Sequence, residues 1–149
     1  MATALEATRF FPFLEPAEES ALFNNAPVKS YERDQVVIEQ NAPLRAVFLI
    51  EDGTVRVERK ERDQMFPLAI LSTGEIFGEM SFVDGAPTSA RVVADEPTRL
   101  RIIDEAMVND LIKKDPSFAG RLYRSIAAIL VERLRATSMH FALDQSWGG

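Results

Sequence analysis

Seven short β-forming segments between Val28 and Asp104 constrain the fold of this chain most. Turn residues separate them, as at Asp52-Gly53 and Asp84-Gly85, and apolar and polar residues alternate over Val55–Glu58. Many short strands at this spacing predict a small antiparallel sandwich or barrel. The predicted strands are Val28–Tyr31, Gln35–Ile38, Ala46–Ile50, Thr54–Lys60, Phe66–Leu71, Ser89–Ala94 and Arg99–Ile103.

Helical signals flank the β region on both sides. Pro at a first helical position predicts a short helix over Pro16–Asn24. Asp104 is a good N-cap for a helix over Glu105–Lys113. Asp115-Pro116 repeats the signal and predicts a last helix to about Phe141.

The last predicted helix carries one apolar stripe, which is longer than a small β domain alone can cover. The stripe predicts a homodimer through this helix, and the alternative is that it packs back on the helix's own β domain. The apolar segment Phe10–Leu14 likewise allows two readings, an exposed docking patch or a cover for one end of the core, and we favour the cover. The stripe residues are Phe118, Leu122, Ile126, Ile129, Leu130 and Leu134.

Composition excludes several classes of function. The 149 residues carry a formal charge of −6, which argues against a broad nucleic-acid surface. There is no cysteine for a disulfide or a zinc-thiolate site, and the single histidine, His140, cannot build a multi-histidine metal centre. No nucleophile–base pair stands out, so an enzyme is not expected. The N-terminus lacks a signal-peptide pattern and the longest apolar run, Ile126–Val131, is too short to span a bilayer, so we expect a cytoplasmic protein without membrane contact.

The stretch Leu71–Ala94 contains the candidate ligand-binding residues. It contains two Gly-Glu turns, a short apolar turn at Met80–Val83, and the small pair Ser89-Ala90 at the head of a predicted strand. Glu79, between Gly78 and an apolar segment, would need a partner if it were buried, and backbone N–H groups at Ser89-Ala90 can meet an anion. This pattern indicates a pocket for a small ligand with hydroxyls and a negative group.

The stretch resembles the phosphate-binding cassette of the cyclic nucleotide-binding domain family, which includes the catabolite activator protein and protein kinase A regulatory subunits. The resemblance implies a mainly β fold with α: an antiparallel, jelly-roll-like β-roll at about 28–104, an N-terminal helix, and C-terminal helices at about 105–142, forming one domain over 1–149. A second run, Val36–Val55, is similar to the family pattern, with Asn41 replacing a turn glycine. The matching cassette residues are Phe77-Gly78-Glu79-Met80-Ser81, Gly85-x-Pro87, Ser89-Ala90 and Val92-x-Ala94.

The resemblance also implies roles for single residues. Glu79 would hold the ribose 2′-hydroxyl, Gly78 would let the backbone close over the sugar, and the N–H groups of Ser89 and Ala90 would meet the cyclic phosphate. A run similar to Arg133–Ser138 faces the base in the catabolite activator protein. Thr137 and Ser138 would then contact a purine edge, although two hydroxyls near a helix end also fit a simple water-facing role, which we favour.

Thr88 stands where the family has its phosphate-binding arginine. Loss of one charged hydrogen bond costs about 10–100-fold in affinity, and the hydroxyls of Thr88 and Ser89 offset only part of this. Arg91 points away from the pocket in a regular strand, and Arg45 is a further candidate. On this basis, Thr88→Arg is predicted to strengthen binding.

The predicted function is a sensor of cAMP or cGMP that passes its signal to a partner protein, with no other cofactor. The sequence after the last helix leaves nothing for a helix-turn-helix, so DNA binding is not expected. The alternative is a scaffold of this fold that has lost nucleotide binding and acts as a dimerisation or protein-interaction module.

Overall fold

The computed structural model describes the backbone of residues 10–148 and the side chains of residues 10–137. In this part of the chain, helices flank a β region at both ends, which confirms the predicted fold class. In chain order the elements are α1 (Pro16–Asn25), β1 (Val28–Tyr31), β2 (Val36–Ile38), β3 (Ala46–Asp52), β4 (Thr54–Glu61), β5 (Gln64–Ser72), β6 (Ile76–Phe77), α2 (Glu79–Asp84), β7 (Arg91–Ala94), β8 (Thr98–Asp104), α3 (Glu105–Lys114) and α4 (Ser117–Gly148).

The eight strands form two four-stranded sheets in which every pairing is antiparallel. One sheet has the order β1-β8-β3-β6, and the other has the order β2-β7-β4-β5. Side chains from both sheets fill the space between them, including the fully buried Ile50, Val55 and Leu100. The alternating pattern that predicted half-buried strands thus produces a two-sheet core.

Three elements differ from the prediction by more than two residues. The two-residue strand β6 was not predicted, because a bridge so short has no period of its own. The segment predicted as a turn at Met80–Val83 belongs to helix α2. Gly78 precedes this helix and Gly85 follows it, and both glycines have the left-handed conformation. Helix α4 extends to Gly148 instead of ending near Phe141, since no helix-breaking residue intervenes.

A second core joins the helices to the first sheet. Phe11 and Leu14 are buried there, so the N-terminal apolar segment covers one end of the core, while Phe13 is 37% exposed. The first half of α4 packs into the same cluster through Phe118, Leu122 and Ile126. The predicted stripe therefore packs back on its own domain over about three turns.

Polar contacts fix the start of α4 against α1. The Arg121 guanidinium donates two hydrogen bonds to Glu18, with N–O distances of 3.0 and 2.6 Å, and a third to Asp115. The hydrogen bond from Arg121 lowers the pKa of the Glu18 carboxyl below its usual value. The Ser125 hydroxyl accepts from the Phe13 N–H at 2.8 Å. These bonds attach the start of α4 to α1 and to the N-terminal apolar segment.

No helix among the residues described is both long and apolar enough to cross a membrane.

Candidate ligand-binding site

A cavity of about 190 Å³ lies between the sheet β2-β7-β4-β5, the β6–α2 turn and helix α4. Its wall is mostly apolar, and its charged groups are one carboxylate and one guanidinium. Such a wall suits a ligand with a flat apolar body and a few polar groups. The lining residues are Ile38, Val57, Ala69, Leu71, Phe77, Gly78, Glu79, Met80, Ser81, Thr88, Ser89, Ala90, Val92 and Arg133.

The β6–α2 turn presses the cassette against strand β3. Gly78 has φ +83°, and a Cβ at this position would lie 2.6 Å from the Ala46 carbonyl oxygen. Phe77 stacks on Phe48 with ring centroids 4.9 Å apart. Glycine is therefore required at this turn by the close approach of β3, independently of any ligand.

Glu79 is the first residue of α2, and it points into the cavity. The residue is 5% exposed, and its Oε1 accepts from Arg133 Nη1 at 2.7 Å. Arg133 also donates to the Ile76 carbonyl oxygen at 2.5 Å. Within the described part of the chain, no donor bonds the second carboxylate oxygen of Glu79. One ion pair thus joins the cassette to α4 and leaves an acceptor for a ligand hydroxyl.

Arg133 was not predicted as a site residue, although it lies in the run that resembles the base-facing segment. The signal for it was present, because a buried Glu79 carboxylate requires a cation or several donors. Which of the chain's many arginines supplies the charge depends on the docking of α4, which no local pattern specifies.

Thr88 ties the cassette to the loop between β2 and β3. Its hydroxyl donates to the Glu39 carbonyl oxygen at 2.6 Å and accepts from the Ala42 N–H at 2.8 Å. Its backbone bonds both Asn41 and Ala42. Asn41 adopts φ +64°, so the glycine-like turn predicted there is confirmed.

These bonds change the expectation for Thr88→Arg. The Thr88 residue is 8% exposed and its hydroxyl is already bonded to the loop, so it has little capacity for a phosphate. An arginine at this position would lose the hydroxyl bonds, and any gain in affinity would come with a loss of stability.

Ser89 and Ala90 lie in a bend before β7 and line the cavity, whereas the sequence predicted them inside the strand. Neither of their backbone N–H groups donates to a protein acceptor within the described part of the molecule. Two adjacent donors are therefore available to an anion at this end of the cavity.

The two substitute arginines weighed from the sequence are paired elsewhere. Arg45 bonds Glu105 at 3.1 Å, and Arg91 pairs with Glu58 at 3.3 Å on the other face of the sheet. Neither lines the cavity.

Thr137 lies one turn of α4 beyond Arg133 and does not line the cavity. Its exposed hydroxyl donates to the Arg133 carbonyl oxygen at 3.0 Å. The side chain of Ser138 lies outside the described residues, as does that of His140. The purine contact of Thr137 and Ser138 stays a prediction. Side chains of the described region form no group of three or more metal-ligating residues that could hold an ion.

Comparison with known proteins agrees with this geometry. The family model for the cyclic nucleotide-binding domain matches residues 28–115, which is more than half of the chain. The chain therefore belongs to the cyclic nucleotide-binding domain family.

Two sequence relatives are named for different nucleotides. The cyclic AMP receptor protein of Thermus thermophilus is 31% identical over 93% of this chain and 63% of the relative. Cyclic GMP-binding protein C of Dictyostelium discoideum is 34% identical over 76% of this chain and 4% of the relative. The chain thus spans less than two thirds of the length of either relative.

Solved structures show the same fold. The Thermus thermophilus catabolite activator protein superposes with a TM-score of 0.73 at 30% identity, over 87% of this chain and 60% of that one. A cyclic nucleotide-binding domain from Methylobacillus flagellatus gives a TM-score of 0.81 at 23% identity, over 94% of this chain and 79% of that one.

Proposed function

We propose that this chain is a regulatory domain that binds cAMP or cGMP in the cavity beneath α4 and passes the binding signal to a partner protein through that helix. The observation that carries the proposal is the Glu79–Arg133 ion pair, which joins the ligand cassette to α4 inside the cavity. The ribose hydroxyls would bond the free oxygen of Glu79, and the phosphate would bond the N–H groups of Ser89 and Ala90. The names of the two relatives support a cyclic nucleotide as the ligand class.

The ion pair also supplies a route for the signal. A hydroxyl that donates to Glu79 changes the hydrogen bonding of the carboxylate that holds Arg133, and Arg133 is part of α4. A ligand shifts a conformational equilibrium only by its differential affinity for the two states. Binding would therefore favour the position of α4 in which Glu79, Arg133 and the ligand are bonded together.

Titration calorimetry with cAMP and cGMP tests the proposal. We expect saturable binding of at least one nucleotide and a rise in melting temperature, because ligand that binds only the folded state stabilises it. Adenosine, which lacks the phosphate charge, serves as the control and should bind much more weakly. Absence of heat and of any melting shift at millimolar cAMP and cGMP would contradict the proposal.

The second candidate function is a protein-interaction module that has lost nucleotide binding. The observation in its favour is Thr88, which replaces a phosphate-binding guanidinium with a hydroxyl already bonded to the β2–β3 loop. For such a module, partners recovered in a pull-down would not change when cAMP or cGMP is added, and the titrations would show no binding.

We also propose a homodimer through the exposed part of α4. Val131 and Leu134 are 46% and 66% exposed, three residues apart on the helix, and nothing described covers them. A matching stripe on a second copy would bury both. In sedimentation equilibrium we expect a dimer, and Leu134→Glu should shift it to a monomer, whereas Val28→Glu on β1 should not. A monomeric parent protein would contradict this proposal.

A further inference from the structure

We propose that Arg59, on strand β4, supplies the guanidinium for the ligand's phosphate that position 88 lacks. This inference rests on the proposed function and adds a residue to the same site. Among the described residues that line the cavity, the Ser89-Ala90 end lacks a positive charge that could balance the charge of an anionic ligand. Two backbone donors are available there, but Glu79 and Arg133 neutralise one another. An anionic ligand needs a further cation for a charge-assisted contact.

Strand β4 directs Arg59 toward this end of the cavity. Val55 is in the core between the sheets and Val57 lines the cavity, and alternate residues of a strand share a face. The β4–β5 pairing contains a bulge, but the extra residue, Leu68, is on β5. Strand β4 itself keeps its alternation through Glu58 and Arg59. Arg59 therefore continues the cavity-facing side of β4; it is not itself a lining residue, but it contacts the lining residue Ser89.

The Arg59 guanidinium already contacts the anion-binding segment. Its Nη1 donates to the Ser89 carbonyl oxygen at 2.8 Å. Ser89 is one of the two residues whose N–H groups are available to the phosphate. The guanidinium therefore lies beside the segment that carries the two available N–H groups, and an anion bound by them would be close to its positive charge.

The present partner of Arg59 is easily exchanged. Arg59 Nε bonds Glu61 Oε1 at 2.7 Å, and the two side chains are 42% and 52% exposed. An ion pair this exposed contributes little to stability. The other arginines near the cassette are placed less well. Arg91 pairs with Glu58 and Arg133 is bonded to Glu79. Arg45, whose pair with Glu105 is equally exposed, reaches Gly85 at the end of α2 and not the Ser89-Ala90 segment.

Arg59→Ala and Arg59→Gln test the inference in titrations with cAMP and cGMP. We expect each to weaken nucleotide binding about 10–100-fold, which is the range for a charged hydrogen bond. Glu61→Gln should strengthen binding, because it releases Arg59 from its present partner. Lys60→Ala is the matched control, since it removes one positive charge from the opposite face of the same strand. Melting curves of all variants show whether the fold is kept.

The outcomes separate this inference from the proposed function. If the parent protein binds neither nucleotide, the proposed function fails and this inference fails with it. If the parent protein binds a nucleotide and both Arg59 variants bind it as tightly as the parent does, only the role of Arg59 is overturned. An equal loss in Lys60→Ala would also overturn it, because the effect would then be one of net charge.

Discussion

Glu79→Ala is expected to lower cyclic-nucleotide affinity by at least about 10–100-fold. The carboxylate is the hydroxyl acceptor in the proposed complex, and a charged hydrogen bond contributes about 1.5–3 kcal/mol, or one to two decades in affinity. The substitution also removes the partner of the Arg133 guanidinium, so the link between cassette and α4 is lost. Titration calorimetry with cAMP and cGMP measures the effect.

Two further variants make this result specific. Glu132→Ala removes the same charge from the exposed surface next to Arg133, and it should leave affinity unchanged. Arg133→Ala, combined with Glu79→Ala in a double-mutant cycle, should show that the two losses are not additive, because the residues bond each other. Full affinity in both single variants, with unchanged melting curves, would show that the ligand is held elsewhere.

Leu122→Ala is expected to lower the free energy of unfolding by about 2–5 kcal/mol, the range for truncation of a buried leucine. Leu122 is 1% exposed and lies between Phe118 and Ile126 on the buried side of α4. The truncation leaves a void where α4 meets the first sheet. Urea unfolding followed by circular dichroism measures the loss.

Leu68→Ala is the matched control for this result. Leu68 is 55% exposed on β5, and surface truncations usually change stability by less than about 0.5 kcal/mol. All proteins are compared at one concentration, because a dimer makes apparent stability depend on concentration. Equal losses in the two variants would show that α4 does not pack on the sheet as described.

Local pattern was sufficient for most of the secondary structure. Strand β1 has the predicted ends, and the helix capped by Asp104 begins where predicted, since its carboxylate accepts from the Met107 N–H at 2.9 Å. Alternation, caps and turn residues act within a few positions of one another, so a single sequence contains them. The β6 strand was not predicted because its two residues are defined only by pairing with β3, and helix α2 was not predicted because six residues are too few to show a helical period.

The cassette residues Phe77–Ser81 and Thr88–Ala90 were named from their motif, and the structure brings them to one cavity. Thr137 does not reach it. The roles of these residues in binding stay predictions, which the titrations above address. The motif gave no information on side chains that come from distant strands and helices.

By itself, the sequence determined the strand and helix pattern, the family resemblance and the absence of arginine at position 88. Only the tertiary structure decided that Arg133 pairs with Glu79, that the Thr88 hydroxyl holds the β2–β3 loop, and that Arg59 contacts Ser89. The reason is the separation in sequence over which each interaction acts. Backbone preference and hydrophobic period act between neighbours in sequence, whereas these contacts join residues 30 to 54 positions apart and exist only after the sheets and α4 have packed.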